Sequence, residues 1–169
     1  MTVSRTSSLS GIMGPVTPIV HRAPLVDLDP ATLHGILKLR VDVFVVEQNC
    51  PYPEIDGRDV EASTLHFWCA DLDGSPVATA RLLVDELADG PRIFRVVRVC
   101  TRHELRGTGL ARAVLDAVVA ETGDRPSVLA AQAHLESMYA GWGFVVDGPR
   151  FVEDGIPHVP MRRPGVRAE

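Results

Sequence analysis

The sequence predicts an α/β fold of the α+β kind, a mixed and mostly antiparallel sheet flanked by helices, and three observations carry that expectation. Strand-period and helix-period runs follow one another in the order β-α-β-β-β-α-β-α-β-β. Two of the strand-like runs, Leu65 to Leu72 and Val77 to Val84, flank Asp73-Gly74, a dipeptide suited to a tight hairpin turn. A further run, Arg92 to Cys100, passes through a glycine-containing loop directly into a helix-patterned segment near Ala111.

Each element has a local reason. Pro18 to Leu25 is apolar enough for a first strand, and the prolines at 18 and 24 assign it to a sheet edge. Asp29 is placed to cap a helix whose first turn holds Pro30, and Leu33, Ile36, Leu37, Arg40, Val41 and Phe44 keep the helical period. Glu47 to Glu61 reads as loop with room for a short helix. In the strand from Ile93 to Cys100, branched apolar residues alternate with arginines, as in a half-buried strand. Leu110, Val114, Leu115, Val118 and Val119 then recur at helical spacing. Ser127 to Gln132 is a short strand, and His134 to Trp142 a short helix ended by Gly143. Phe144 to Val146 and His158 to Arg162 complete the sheet.

With 169 residues, 46% hydrophobic and 23% charged, the chain has the size and composition of one soluble globular domain. That domain is expected over 18–164, with tails at 1–17 and 165–169. A net charge of −5 argues against a nucleic-acid partner. The N-terminal stretch lacks the uninterrupted apolar core of a secretion signal, and no window reaches membrane-spanning length. Cys50, Cys69 and Cys100 form no CxxC pair, which favours a reducing cytoplasm over a disulfide framework. The 6 histidines show no HExxH spacing, so no metal is expected.

The loop Arg106-Gly107-Thr108-Gly109-Leu110-Ala111 carries the chemistry. Its glycines allow a close backbone approach, and the first N–H groups of the following helix have no intrahelical partner. That combination is an anion site suited to phosphate. A P-loop would need lysine and then serine or threonine after Gly109, where Leu110-Ala111 stands. A dinucleotide fingerprint would need a third glycine at Arg112.

The pattern Arg106-x-x-Gly109-x-Ala111 resembles the acyl-CoA pyrophosphate loop of the GNAT N-acetyltransferases. Tyr139-Ala-Gly-Trp-Gly143-Phe144 is similar to the tyrosine-bearing short helix and Gly-Phe strand that, in that family, come after the strand following the coenzyme helix. Three strings, RVDVFVVEQNCPYPEIDGRD from Arg40, AQAHLESMY from Ala131 and EDGIPHVPM from Glu153, resemble its ElaA-type branch. The resemblance covers 18–164 and implies a GNAT-like acyl-CoA N-acyltransferase fold with acetyl-CoA as co-substrate. It further implies that Gly107, Thr108, Gly109, Leu110 and Ala111 cradle the pyrophosphate with Arg106 beside them. Val97 and Val99 would pair with the pantetheine arm where the sheet splays open, and a backbone N–H near Val99 or Cys100 would hold the oxyanion. Tyr139 matches the position that protonates the leaving thiolate; the residues alone equally allow a buried aromatic packed on Met138, Trp142 and Phe144.

The implied reaction is transfer of an acetyl group to a primary amine by direct attack in a ternary complex. A protonated amine cannot attack, so a base is required. Glu47, at a helix-to-loop transition after Val43 to Val46, is the first candidate, although it could simply bond the following loop. His134 is a second. Glu54, Asp56, Asp59, Glu153 and Asp154 could recognise an acceptor cation. His66 reads as a core-facing strand residue, and Arg98 as a partner for a carboxylate. Cys100 lacks a histidine that would make it a nucleophile. Two alternatives stay open: a catalytically idle acyl-CoA-binding regulator, and a protein-interaction module contacting through Asn49 to Asp59. An exposed strand edge near the C-terminus could pair two subunits as a homodimer.

Overall fold

The computed structural model describes residues 18–86, 90 and 92–165; the expected tail at 1–17, and that at 165–169 beyond its first residue, lie outside them. One sheet runs through the molecule in the spatial order β1-β2-β3-β4-β5-β8-β6, with β7 also paired to β8. Its strands are β1 (Val20–Ala23), β2 (Leu65–Ala70), β3 (Pro76–Asp85), β4 (Ile93–Thr101), β5 (Ser127–Gln132), β6 (Val145–Val146), β7 (Phe151–Glu153) and β8 (Ile156–Arg163). Every pairing is antiparallel except β4 with β5. β1 is an edge strand, as its flanking prolines demand.

Helix α1 (Pro30–Arg40) starts where the Asp29 carboxylate accepts from the N–H groups of Ala31 and Thr32, both at 2.9 Å. It continues as a π-helical stretch over Val41–Glu47, with Gln48 N–H donating to Val43 C=O at 3.2 Å. Gly35 seats α1 against β3, since a Cβ there would stand 2.6 Å from Pro76 Cδ. On the opposite face lies α2 (Leu110–Thr122), whose Val114, Leu115 and Val118 are buried against Phe67, Ala80, Leu82, Val96 and Leu129. Burying each of those three side chains stabilises the fold by ~1.5–3 kcal/mol. The short α3 (Glu136–Ala140) adds Tyr139 to the same core.

The last part of the chain departs from expectation. β7 and the start of β8 form a hairpin turned by Asp154 (φ 49°) and Gly155 (φ 78°), where no strand was expected before His158. The signal was an Asp-Gly pair like Asp73-Gly74, but the run before it, Phe151 to Glu153, is too short to show a period. The expected helix from His134 to Trp142 is a single turn of 3-10 helix, Ala133–Leu135, followed by α3.

Two features open the sheet at its centre. β4 and β5 pair only at Phe94 with Ser127 and Arg95 with Val128. Just beyond, the register between β3 and β4 shifts, so that Arg98 and Val99 oppose Ala80 alone while Arg98 takes φ 58°. This bulge bends β4 as its neighbour departs.

Candidate active site

The cleft between β4 and β5 joins two cavities. The first, of about 450 Å³, lies toward the start of α2 and is lined by Val99, Cys100, Thr101, Arg106, Gly107, Gly109, Leu110 and Ala111, with Gln132, His134 and Tyr139 across from them. The second, of about 330 Å³, lies beside β7 and β8, where Gln48, Tyr52, Val97, Arg98, Glu153, Asp154 and His158 border it. Val99, Gln132, Tyr139, Phe44, Gln48 and Leu135 border both.

The glycine loop has the geometry of an anion cradle. Gly109 takes φ 90° immediately before α2, and no side chain caps the helix. The first helical N–H groups therefore face outward without a side-chain acceptor, at the positive end of the helix dipole. Among the other expected loop residues, the Thr108 hydroxyl donates to Leu105 C=O at 2.6 Å. Arg106 donates through Nε to Thr101 C=O at 3.3 Å, and its two terminal nitrogens meet the Glu47 carboxylate at 2.6 and 2.7 Å.

That bidentate pair argues against the base role expected of Glu47. The residue borders neither cavity that Tyr139 borders, and lines instead a groove between α1 and residues 102–104. Its hydrogen bonds to Arg106 hold the carboxyl below its ordinary range, further from the basicity an ammonium requires. Glu47 instead holds both terminal nitrogens of Arg106.

Tyr139 is 6% exposed, with its ring set against Trp142 and edge-on to Phe144. Its hydroxyl has no hydrogen-bond partner among the described residues. Burial pushes the phenol up to about 12, so it keeps its proton at neutral pH. Burial likewise pushes the Cys100 thiol up to about 12, which leaves it protonated and a poor nucleophile.

The acidic residues of the 47–61 loop do not face an acceptor as expected. Glu54 and Asp59 are buried and clamp the fully buried Arg40, with Nε to Glu54 Oε1 at 2.6 Å and Nη1 to Asp59 Oδ1 at 2.6 Å. Arg81, on β3, bridges Asp59 at 2.9 Å and Asp56 at 2.6 and 2.8 Å. Arg98 reaches Glu54 at 2.8 Å while its guanidinium lies 5.5 Å over the Tyr52 ring, which anchors the bulge to this network. Burial alone would raise the Asp59 carboxyl, but Arg40 and Arg81 outweigh it and hold the group low. The 47–61 loop thus turns these three acids onto arginines, which weakens its reading as a contact surface. Only Glu153 and Asp154 of the proposed cation-reading acids remain at the second cavity, on the β7–β8 turn.

His66 is fully buried, as its strand position suggested, with Nε2 3.3 Å from Asp59 C=O. His134 lines the first cavity and not the second. Sequence reasoning passed over His158, although it stands inside EDGIPHVPM and lines the second cavity. Among the described residues no group of three or more His, Cys, Asp or Glu is placed to hold a metal ion, and no helix is long and apolar enough to cross a membrane.

A central sheet parted between β4 and β5, with a glycine loop and helix start at the mouth of the cleft, defines the acyl-CoA N-acyltransferase class. The acetyltransferase (GNAT) domain profile matches residues 40–164, and the chain belongs to that family. It is 52% identical over 150 residues to the UPF0039 protein Rv2851c of Mycobacterium tuberculosis, covering 89% of this chain and 96% of that one. To the protein ElaA of Escherichia coli it is 37% identical, over 84% of this chain and 94% of the relative. The crystal structure of an acyl-CoA N-acyltransferase from Pseudomonas aeruginosa superposes with a TM-score of 0.77 at 36% identity, covering 86% of this chain and 99% of that one. Escherichia coli ElaA gives a TM-score of 0.76 at 34% identity over the same shares of the two chains. The ElaA-type resemblance of the sequence is thereby established, and acyl transfer is the chemistry that family and fold support.

Proposed function

We propose that this protein is an acetyl-CoA-dependent N-acetyltransferase that passes the acetyl group to a primary amine by direct attack in a ternary complex. One observation carries the reading: two cavities, one at the glycine loop and one beside β7 and β8, share Tyr139 at the cleft where β4 and β5 part. A thioester entering from the glycine loop and an amine entering through the second cavity would meet there without a covalent enzyme intermediate.

Each element of the cleft has a task in that reaction. The N–H groups from Gly107 to Ala111 donate to the pyrophosphate, while Arg106, steadied by Glu47 and Thr101, borders the same cavity. The parted edge of β4 at Val97 and Val99 pairs with the extended pantetheine arm, as an added strand would. A backbone N–H near Val99 or Cys100 stabilises the oxyanion, a contribution typically worth about 10²–10³ in rate. Tyr139 gives its proton to the departing thiolate. The protonated Cys100 thiol supports direct attack over an acyl-cysteine route.

The acceptor is an amine, and the carboxylates Glu153 and Asp154 at the rim of the second cavity favour a cationic one. We also place the enzyme in the cytoplasm, with pairing of two copies along the β6–β7 edge, where Val145, Val146, Phe151 and Val152 are exposed. A thiol-release assay with acetyl-CoA against small amines, polyamines and lysine peptides tests the activity. Amine-dependent release supports the reading; tight coenzyme binding with no acetylated product across the panel would leave an idle acyl-CoA-binding regulator instead.

A further inference from the structure

Building on the acetyl-transfer reading, we propose that His158 is the general base that takes the proton from the acceptor ammonium. The geometry of the ring supports this role. Nδ1 lies 2.8 Å from Ile156 C=O, and a carbonyl only accepts, so Nδ1 carries a hydrogen. In the neutral ring the lone pair then sits on Nε2, which has no protein partner among the described residues. The ring is held by stacking on Phe151, with centroids 5.6 Å apart and planes 22° apart. His158 therefore presents a fixed and unoccupied acceptor nitrogen.

Its place in the sheet sets His158 at the second cavity beside a residue common to both. His158 on β8 is the direct cross-strand partner of Gln132 on β5, so the two side chains share a face of the sheet. Both line the second cavity, and Gln132 and Tyr139 also line the first. The imidazole thus borders the amine side of the cleft, and the phenol stands where the two sides meet.

The rival bases are placed less well. His134 belongs to the coenzyme side alone. Glu54 is committed to Arg40 and Arg98. Glu153 and Asp154 are exposed on the hairpin turn, at the rim of the cavity, with no partner among the described residues that would fix either carboxylate against a bound amine. Their charge instead attracts the cation that His158 then neutralises.

The protons balance. The ammonium gives one proton to Nε2, which passes it to solvent, and the freed lone pair forms the N–C bond. As the tetrahedral intermediate collapses, the C–S bond breaks and Tyr139 protonates the sulfur. The nitrogen then loses its second proton, which restores the Tyr139 hydroxyl. The charged and titratable groups facing His158 across the cavity are Arg95 and Arg98 from β4 and Glu153 from β7, with Asp154 in the turn. Cys50 and Tyr52 of the 47–61 loop and Tyr139 of α3 complete its surroundings.

The test compares the full-length protein with His158→Asn, which keeps a donor for Ile156 C=O, and His158→Phe, which keeps the stack on Phe151. Two amines serve as acceptors: 1,4-diaminobutane, protonated at pH 7, and methoxyamine, which is largely neutral there. Both variants should lose about 10²–10⁴ in kcat/KM for diaminobutane at pH 7, with acetyl-CoA affinity and Tm unchanged. The deficit should shrink as the pH rises toward the amine's own pKa, and it should be small for methoxyamine at every pH. Amine-dependent thiol release that is undiminished in both variants, or reduced equally for both amines at all pH values, overturns the assignment of His158 alone. A wild-type protein that releases no thiol with either amine overturns it together with the acetyl-transfer reading.

Discussion

On the α1 side of the sheet the guanidinium groups of Arg40 and Arg81 lie in the dry interior with the carboxylates of Glu54 and Asp59 bound to them, whereas at the start of α2 the leading N–H groups face open space with no side chain over Gly109. Both regions stood out in the sequence, the first within the ElaA-like string from Arg40 and the second as a GNAT-like pyrophosphate loop, yet their polar groups have opposite fates. Where charges find one another inside the protein they build the scaffold; where donors are left without partners they await a ligand. A distinctive motif therefore says that a segment is constrained, and the state of its hydrogen bonds says what constrains it.

The sharpest way to break this contrast is Arg40→Ala. Removing the buried cation leaves Glu54 and Asp59 without their shared partner, which should cost ~3–5 kcal/mol in urea unfolding while the folded fraction still binds coenzyme. A loss below ~1 kcal/mol would show that the network is not structural. Tyr139→Phe probes the boundary between the regions: the ring and its packing stay, so Tm should hold while the single-turnover rate falls by about 10²–10⁴. Equal single-turnover rates would reduce Tyr139 to a packing residue.

Gly109→Glu tests the ligand side. It puts a side chain at φ 90° and a negative charge at the helix start, which should weaken acetyl-CoA binding by more than about 30-fold, the ~2 kcal/mol of a strong helix-terminus interaction. Near-normal affinity by calorimetry in a folded variant would sink the cradle. The smallest effect is in pH. Burial depresses the His66 imidazole, so the folded state binds its proton less readily than the unfolded chain. The associated stability is complete above the unfolded value of about 6.5 and is lost as pH falls through that value toward the depressed one. The urea midpoint should therefore drop between pH 8 and pH 5, and His66→Gln should flatten that slope.

Much of this was legible because local rules sufficed. The Asp29 cap, the Asp73-Gly74 hairpin and the Arg92 to Cys100 strand followed from spacing, and the glycine loop declared itself by what it lacked after Gly109. The buried network was not legible, since Arg40, Arg81 and Asp59 come from three separate elements and charged residues are read as solvated by default. The pairing of Glu47 with Arg106 was not legible, because adjacency in sequence to an apolar run places it near the cleft without saying which way it faces. His158 was overlooked because a strand histidine betrays its role only through its cross-strand neighbour, and register is invisible until the sheet is assembled.

The parted strands have one more consequence. Between β4 and β5 the protein carries, near its centre, what other sheets confine to their rims: strand edges not closed by a neighbour, here meeting only at Phe94 with Ser127 and Arg95 with Val128. Such an edge is a template for any extended chain, including a partly unfolded copy of the same protein. The Arg98 bulge twists β4 out of the flat geometry that stacking requires, and so the distortion that opens the cleft also guards it against aggregation while it is empty.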